Sequence, residues 1–297
     1  MVERRRAVER IEFLGTGGLA LAADAAGPAD GPPVLLLHGG GQTRHAWRHA
    51  LQELAALGWR AIALDARGHG DSAWAADADY GLDRLGDDLR AVVCTLPARP
   101  VIVGASMGGH TALIAEGDTP GLARALVLVD VVPQLEGVGV QRIVEFMTAR
   151  PDGFASLDEA ADAVAAYNPA RPRPNDPQGL AKNLRQGSDG RWRWHWDPRF
   201  MEPEAPRRAQ RLQEIRSRMA DAARHVRVPT LLLRGAHSDV VSAAGVEALR
   251  ALLPQLESQD VDAAGHMVAG DRNDHFIAAL LGFLQRLEAP RAKAAGG

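Results

Sequence analysis

The sequence has little of several features that define particular protein classes. It contains a single cysteine, Cys94, which excludes an internal disulfide. No apolar run approaches the roughly 20 residues that span a bilayer. The first six residues are rich in arginine, but Glu9 and Glu12 follow them, so no secretion signal is predicted. These absences lead us to expect a cytoplasmic protein that does not enter a membrane.

An excess of positive charge is also lacking. The 34 basic and 37 acidic side chains give a formal net charge of −3, which offers no electrostatic footprint for nucleic acid. Lys182 and Lys293 are the only lysines. Hydrophobic residues make up 46% and charged residues 24% of the 297 residues, as in ordinary globular proteins. We expect a small-molecule substrate as partner, and the oligomeric state cannot be read from the sequence.

Short apolar runs alternate with longer amphipathic segments along most of the chain. The runs are apolar on both faces, which is typical of strands buried in a parallel sheet. They are 34–37, 61–64, 101–103, 125–129 and 230–233. Helix-length stretches separate them, so we predict an α/β fold with a mostly parallel sheet. Ligands of such sheets bind beyond the carboxyl ends of the strands.

The alternation stops in a long segment between two of these strands. Residues 135–226 show helical spacing at 140–147 and 157–167, then become rich in proline and arginine, and contain no strand pattern. Trp192, Trp194 and Trp196 alternate with other residues, so an extended backbone would put them on one face. We predict a helical subdomain at 135–226 over a core domain made of 1–134 and 227–297.

The glycines near the N-terminus invite a cofactor interpretation. Gly15, Gly17 and Gly18 belong to a G-x-G-x-x-A pattern, but a dinucleotide site would need a helix opening at Gly17. Alternating residues lie on both sides and prolines follow soon after, which favours a β-hairpin. No cofactor is predicted. His45 and His49 have a spacing that can bind zinc, but no third ligand is evident, so no metal is predicted either.

The strongest chemical signal is a G-x-S-x-G motif at 104–108. A buried strand runs through it straight into a helix, so Ser106 would stand exposed on a sharp, strained turn as a nucleophile. A serine hydroxyl needs a base to remove its proton, and the base needs an orienting carboxylate. His266 is predicted as the base, and Asp239 as the acid because it follows a later strand in the order Ser, Asp, His. Asp130, at the end of another strand, is the alternative acid.

In these motifs the chain resembles the α/β-hydrolase fold family, specifically its capped serine hydrolase or esterase branch. The resemblance covers nearly all of the chain except the helical insert. It depends on His38-Gly39-Gly40-Gly41, the loop Asp65 to Ser72, Gly104 to Gly109, and the loops of Asp239 and His266. It implies a sheet of the eight-stranded type, a cap at 135–226, and an oxyanion hole made by the amides of Gly40 and Met107, with Gly41 as the alternative to Gly40.

These features together predict a hydrolase that uses a serine nucleophile and no cofactor. It would cleave a small or medium carboxylic ester, with lactones and thioesters as related substrates, through an acyl-Ser106 intermediate. The same triad could serve perhydrolysis of the haloperoxidase type or the hydrolysis of a C–C bond. An alternative of another class is a ligand-binding protein of this fold with little turnover.

Overall fold

The computed structural model describes residues 7–169, 173–201, 205–262, 264–268 and 273–288. The strands are β1 (Glu9–Leu14), β2 (Ala20–Ala26), β3 (Pro33–Leu37), β4 (Arg60–Leu64), β5 (Val101–Ala105), β6 (Ala125–Val129), β7 (Leu184–Gln186), β8 (Trp192–Trp194), β9 (Thr230–Gly235) and β10 (Leu256–Val261). The helices are α1 (Arg48–Ala56), α2 (Leu82–Cys94), α3 (Met107–Asp118), α4 (Gly137–Thr148), α5 (Leu157–Tyr167), α6 (Ala205–Ala223), α7 (Ala243–Leu252) and α8 (Asn273–Glu288). Residues 1–6, which contain the charged start of the chain, lie outside the described residues.

Eight of the strands form one sheet in the order β1-β2-β4-β3-β5-β6-β9-β10. All neighbours pair in parallel except β2, which is antiparallel to both β1 and β4. The central strands are buried, except at the last residue of β5, because helices cover both faces, which explains their unbroken apolar sequences. Helices α2, α3 and α7 pack on one face, and α1 and α8 pack on the other. The prediction of a mostly parallel α/β sheet is confirmed.

The N-terminal glycines form a turn between β1 and β2. Gly17 has φ 73° inside a single 3₁₀ turn at Thr16–Gly18, a conformation that glycine adopts without a steric penalty. β1 and β2 then pair in register as a hairpin. No helix opens at Gly17, so the geometry of a dinucleotide site is not present at this position.

The insert between β6 and β9 lies outside the sheet. It contains α4 and α5, close to the helical stretches that the sequence predicts, and then a hairpin of β7 and β8 that it does not predict. Each of these strands has only three residues, which is too short for a pattern of alternation. Phe154 completes the pairing, since its amide and carbonyl both bond to Trp192. The end of α6 returns to the core, where Ala222 packs directly against Gly117 of α3.

None of the helices, within the described ranges, combines the length and the apolar character that crossing a bilayer requires.

Candidate active site

Ser106 stands on a strained turn between β5 and α3. Its backbone has φ 46° and ψ −116°, a region that non-glycine residues rarely adopt. The turn is possible because glycines flank it: a Cβ on Gly104 would lie 2.5 Å from the carbonyl carbon of Gly108, and a Cβ on Gly108 would lie 2.4 Å from the Leu37 oxygen. Strain of this kind persists only where the surroundings enforce it, and it is frequent at active sites.

Asp130 occupies the matching position on the neighbouring strand. Ala105 pairs with Val129 across β5 and β6, so Ser106 and Asp130 leave the sheet side by side. Asp130 also has a positive φ, 53°, and it is 1% exposed. Its Oδ1 accepts a hydrogen bond from the Gly235 amide at 3.0 Å, and its Oδ2 accepts one from Ser238 Oγ at 2.6 Å. A buried carboxylate with this many donors is well compensated for its loss of hydration.

His266 binds to Asp130. Its Nδ1 lies 2.7 Å from Asp130 Oδ2, in a loop that follows β10. When Nδ1 carries the proton and donates it to the carboxylate, Nε2 is left with a lone pair that can accept a proton. Ser106, Asp130 and His266 all line the same cavity.

The structure does not bring Asp239, the predicted orienting acid, to His266; Asp130, the alternative acid, is the carboxylate that His266 contacts. The carboxylate of Asp239 lies 3.1 Å from Arg142 Nη1 on α4, is partly exposed, and does not line the cavity. The prediction applied the usual chain order, in which the acid follows the strand after the cap. Asp130 and Asp239 end adjacent strands, β6 and β9, so sequence position alone separates them poorly. Ser238, which binds Asp130, was not predicted, and nothing in the sequence distinguishes it from other loop serines.

The loop His38 to Gly41 passes next to Ser106. A Cβ on Gly39 would lie 3.4 Å from Ser106 Cβ. The Gly39 amide donates to Gln42 Oε1 at 3.0 Å, and the Gly41 amide donates to His69 Nε2 at 3.2 Å. The amides on both sides of Gly40 are therefore occupied, whereas the Gly40 amide of this segment is available to a ligand. Gly40 lines the cavity together with Met107, the first residue of α3. A helix N-terminus adds a partial positive charge at this point.

Two buried histidines hold this loop in place. His38 Nδ1 donates to the Gly39 carbonyl at 2.8 Å, and its Nε2 accepts from the Ala66 amide. His69 Nδ1 donates to the Arg67 carbonyl while its Nε2 accepts from Gly41. Both rings therefore act as neutral imidazoles. Burial lowers the pKa of His38, and burial followed by repulsion from His38 lowers the pKa of His69 to about 3. The interpretation of His69 as part of a structural turn agrees with these bonds.

The cavity measures about 740 Å³ and has mostly apolar walls. Trp194 and Trp196 line it and stack on each other with ring centres 5.1 Å apart, whereas Trp192 packs inside the insert. Phe146 and Phe200 add further aromatic surface. The insert is therefore the roof of the cavity, and the loops at the carboxyl ends of the strands are its floor.

The remaining histidines of the sequence analysis have simple environments. His110 lines the cavity one turn beyond Ser106, and burial followed by repulsion from His266 lowers its pKa to about 4. His45 Nδ1 lies 3.6 Å from Asp24 Oδ2, and His49 Nδ1 lies 3.9 Å from Glu53 Oε1. In the part of the chain that the structure describes, no group of three or more His, Cys, Asp or Glu side chains is arranged to hold a metal ion.

Comparisons with known proteins agree with this architecture. Residues 32–272 match the family model of the α/β-hydrolase fold. The esterase Rv0045c of Mycobacterium tuberculosis is 35% identical over 56% of this chain and 57% of its own length. A crystal structure of that esterase superposes with a TM-score of 0.75 at 28% identity, covering 94% of this chain and 92% of the esterase.

Two further similarities extend over more of the sequence or come closer in fold. The mouse sn-1-specific diacylglycerol lipase ABHD11 is 30% identical over 87% of this chain and 82% of the lipase. The crystal structure of E-2-(acetamidomethylene)succinate hydrolase has a TM-score of 0.82 over 94% of this chain and all of that chain, at 24% identity, which shows a shared fold. The family model and the lipase both span most of the sequence. The chain belongs to the α/β-hydrolase fold family.

Proposed function

We propose that this protein is a serine hydrolase that cleaves small or medium carboxylic esters, with lactones and thioesters as related substrates. The observation that carries the proposal is the hydrogen bond of His266 to Asp130 in the cavity that Ser106 also lines. It supports a base of fixed orientation in the same cavity as a partly exposed serine hydroxyl, and such a base can activate a serine.

The reaction would proceed in two halves. Ser106 Oγ attacks the ester carbonyl while His266 Nε2 takes its proton, and the resulting imidazolium is stabilised by Asp130. His266 then gives this proton to the departing alcohol, which leaves an acyl-Ser106 ester. In the second half, His266 takes a proton from water, the hydroxide attacks the acyl group, and the carboxylic acid is released as Ser106 recovers its proton.

The amides of Gly40 and Met107 would stabilise the negative charge that develops on the carbonyl oxygen. Gly40 is supported by the occupation of its two neighbouring amides, and Met107 by its place at the start of α3. A donor of this kind contributes about 3 kcal/mol to the stabilisation of the transition state.

Labelling with a fluorophosphonate, followed by mass spectrometry of the intact protein, tests the proposal. We expect one covalent adduct, its loss in Ser106→Ala, and its retention in Ser217→Ala, which changes an exposed serine on α6. Turnover of p-nitrophenyl acyl esters should follow the same pattern. Turnover that survives in Ser106→Ala would refute the nucleophile, and a wild type without adduct or turnover would favour a binding protein.

A further inference from the structure

The charges that line the cavity are unevenly distributed. Asp130 is the only carboxylate among the described lining residues, and it is already bound to His266, Ser238 and the Gly235 amide. Two cationic side chains, Lys182 and Arg211, line the same cavity. Both come from the insert, so the roof brings positive charge to a space whose walls are otherwise mostly apolar.

Arg211 lies on α6 and is partly buried. Its Nη2 donates to the Tyr80 carbonyl at 3.3 Å, and no carboxylate of the described residues lies within ion-pair distance of it. Arg218, further along the same helix, instead pairs with Asp83 and Asp118. A guanidinium has five N–H donors, so most of those on Arg211 remain available for a ligand.

Lys182 lies at the exposed rim of the cavity in the 3₁₀ turn Pro177–Asn183. It too has no carboxylate partner among the described residues. Lys182 lines the cavity together with His45, whose pKa is lowered by burial, then by the charge of Arg44 and, less strongly, by that of Lys182. A flexible ammonium group at the rim of a low-dielectric cavity attracts anions from solution.

From this arrangement we propose that the ester cleaved at Ser106 carries a carboxylate group on an apolar body, and that Arg211 binds the carboxylate while Lys182 draws it to the rim. The proposal rests on the proposed function, because it describes the substrate of the same site. An apolar body fits the aromatic wall of Trp196 and Phe146, and a carboxylate matches the planar N–H donors of a guanidinium.

Matched pairs of chromogenic esters test the proposal. One series pairs p-nitrophenyl esters of unbranched fatty acids with mono-p-nitrophenyl esters of dicarboxylic acids of equal length. A second series places the carboxylate on the leaving group, as in carboxy-nitrophenyl esters. We expect the wild type to prefer the charged member in at least one series by about tenfold or more in kcat/KM, chiefly through KM, since a hydrogen bond to a charged group has that effect.

Three variants locate the effect. Arg211→Gln should remove most of the preference by raising KM for the charged member of each pair, and Lys182→Gln should reduce the preference and its sensitivity to salt. Arg216→Gln is the matched control, because it removes one positive charge from an exposed position on α6 that does not line the cavity. This control should keep the preference of the wild type.

The outcomes separate this proposal from the function on which it rests. Equal kcat/KM for charged and neutral esters would refute the carboxylate proposal and leave the esterase intact. An equal loss for both esters in Arg211→Gln would refute it as well, because the residue would then act on folding or general binding. A wild type that cleaves no ester and takes up no fluorophosphonate would overturn the proposed function and this proposal with it.

Discussion

The floor and the roof of the cavity are built by different interactions. The floor consists of loops at the ends of β5, β6 and β9, where two residues have a strained backbone and a buried carboxylate has every oxygen occupied. The roof consists of the insert, in which stacked aromatic rings and partly exposed ion pairs dominate. We therefore expect positions on the floor to tolerate less change in geometry than the exposed positions on the roof. On the proposed function, the floor would set the chemistry and the roof would set the choice of substrate.

Asp130 and Asp239, which follow β6 and β9, should show the largest difference in activity when each is substituted. Asp130→Asn should lower kcat for an ester by about 10⁴-fold, because the amide would hold His266 in the wrong tautomer. Asp239→Asn should change kcat by only a few fold, because Asp239 binds Arg142 on the roof. Steady-state kinetics on the two purified variants, with urea unfolding to verify that both are folded, would decide. A larger loss in Asp239→Asn would reverse the assignment.

Two glycine-to-alanine substitutions compare the cost in stability of an added methyl group on the floor and on the roof. Gly108→Ala should lower the free energy of unfolding by about 1–3 kcal/mol, because its new Cβ would lie 2.4 Å from the Leu37 carbonyl oxygen. Gly137→Ala, at the start of α4, has open space around the new methyl group and should be neutral or slightly stabilising. Urea unfolding measures both values, and similar costs at the two sites would contradict the comparison.

Acid should weaken the junction between floor and roof. His195 of the insert accepts a hydrogen bond from the Gly70 amide through Nδ1, and burial, followed by the charges of His69 and His38, lowers its pKa to about 2. In the unfolded chain its pKa returns to the ordinary value of 6.5, so the unfolded state binds more protons below that pH. The stability that the neutral ring contributes is complete above about pH 6.5 and declines as the pH falls from there towards 2.

Replacing this ring with a side chain that does not titrate isolates its effect. In His195→Asn the amide oxygen can still accept from Gly70, so the dependence of unfolding free energy on pH should become shallower by about 1 kcal/mol per pH unit below pH 6.5. Urea unfolding of wild type and variant across the acid range measures the two slopes. Identical slopes in the two proteins would show that protonation of His195 does not contribute to the loss of stability in acid.

The smallest effect is expected at the ion pair between Arg142 and Asp239. Both side chains are substantially exposed, so Arg142→Gln should cost less than about 1 kcal/mol, and salt should diminish that cost. Thermal unfolding at low and high ionic strength measures it. A loss of several kcal/mol would mean that the roof depends on its charges more than on its aromatic packing.

The sequence predicted some features of the fold and of the candidate site and missed others, for identifiable physical reasons. The apolar runs predicted the strands of the sheet, because a strand that is buried on both faces needs apolar residues throughout. The glycines around Ser106 predicted the sharp turn, because only glycine lets the strand and the helix approach so closely. His266 was predicted from its position in the loop after the last strand. The choice between Asp130 and Asp239 failed because each carboxylate ends a neighbouring strand, and only packing decides which one faces the imidazole. The β7–β8 hairpin was missed because each of its strands has only three residues, which is too few for a strand pattern to show in the sequence.

The position of Asp130 before the insert has a consequence for how this scaffold can be altered. Ser106 and Asp130 both belong to one β5-α3-β6 unit, whose strands pair in register up to the residues just before them. The proposed nucleophile and the proposed acid are thus fixed by a short stretch of chain that is complete before residue 135. We therefore expect that an insert of another length or composition would leave Ser106 and Asp130 in place, provided that the returning chain still delivers His266. On the proposed function, recombination with inserts of other proteins should change the choice of substrate and retain the serine chemistry.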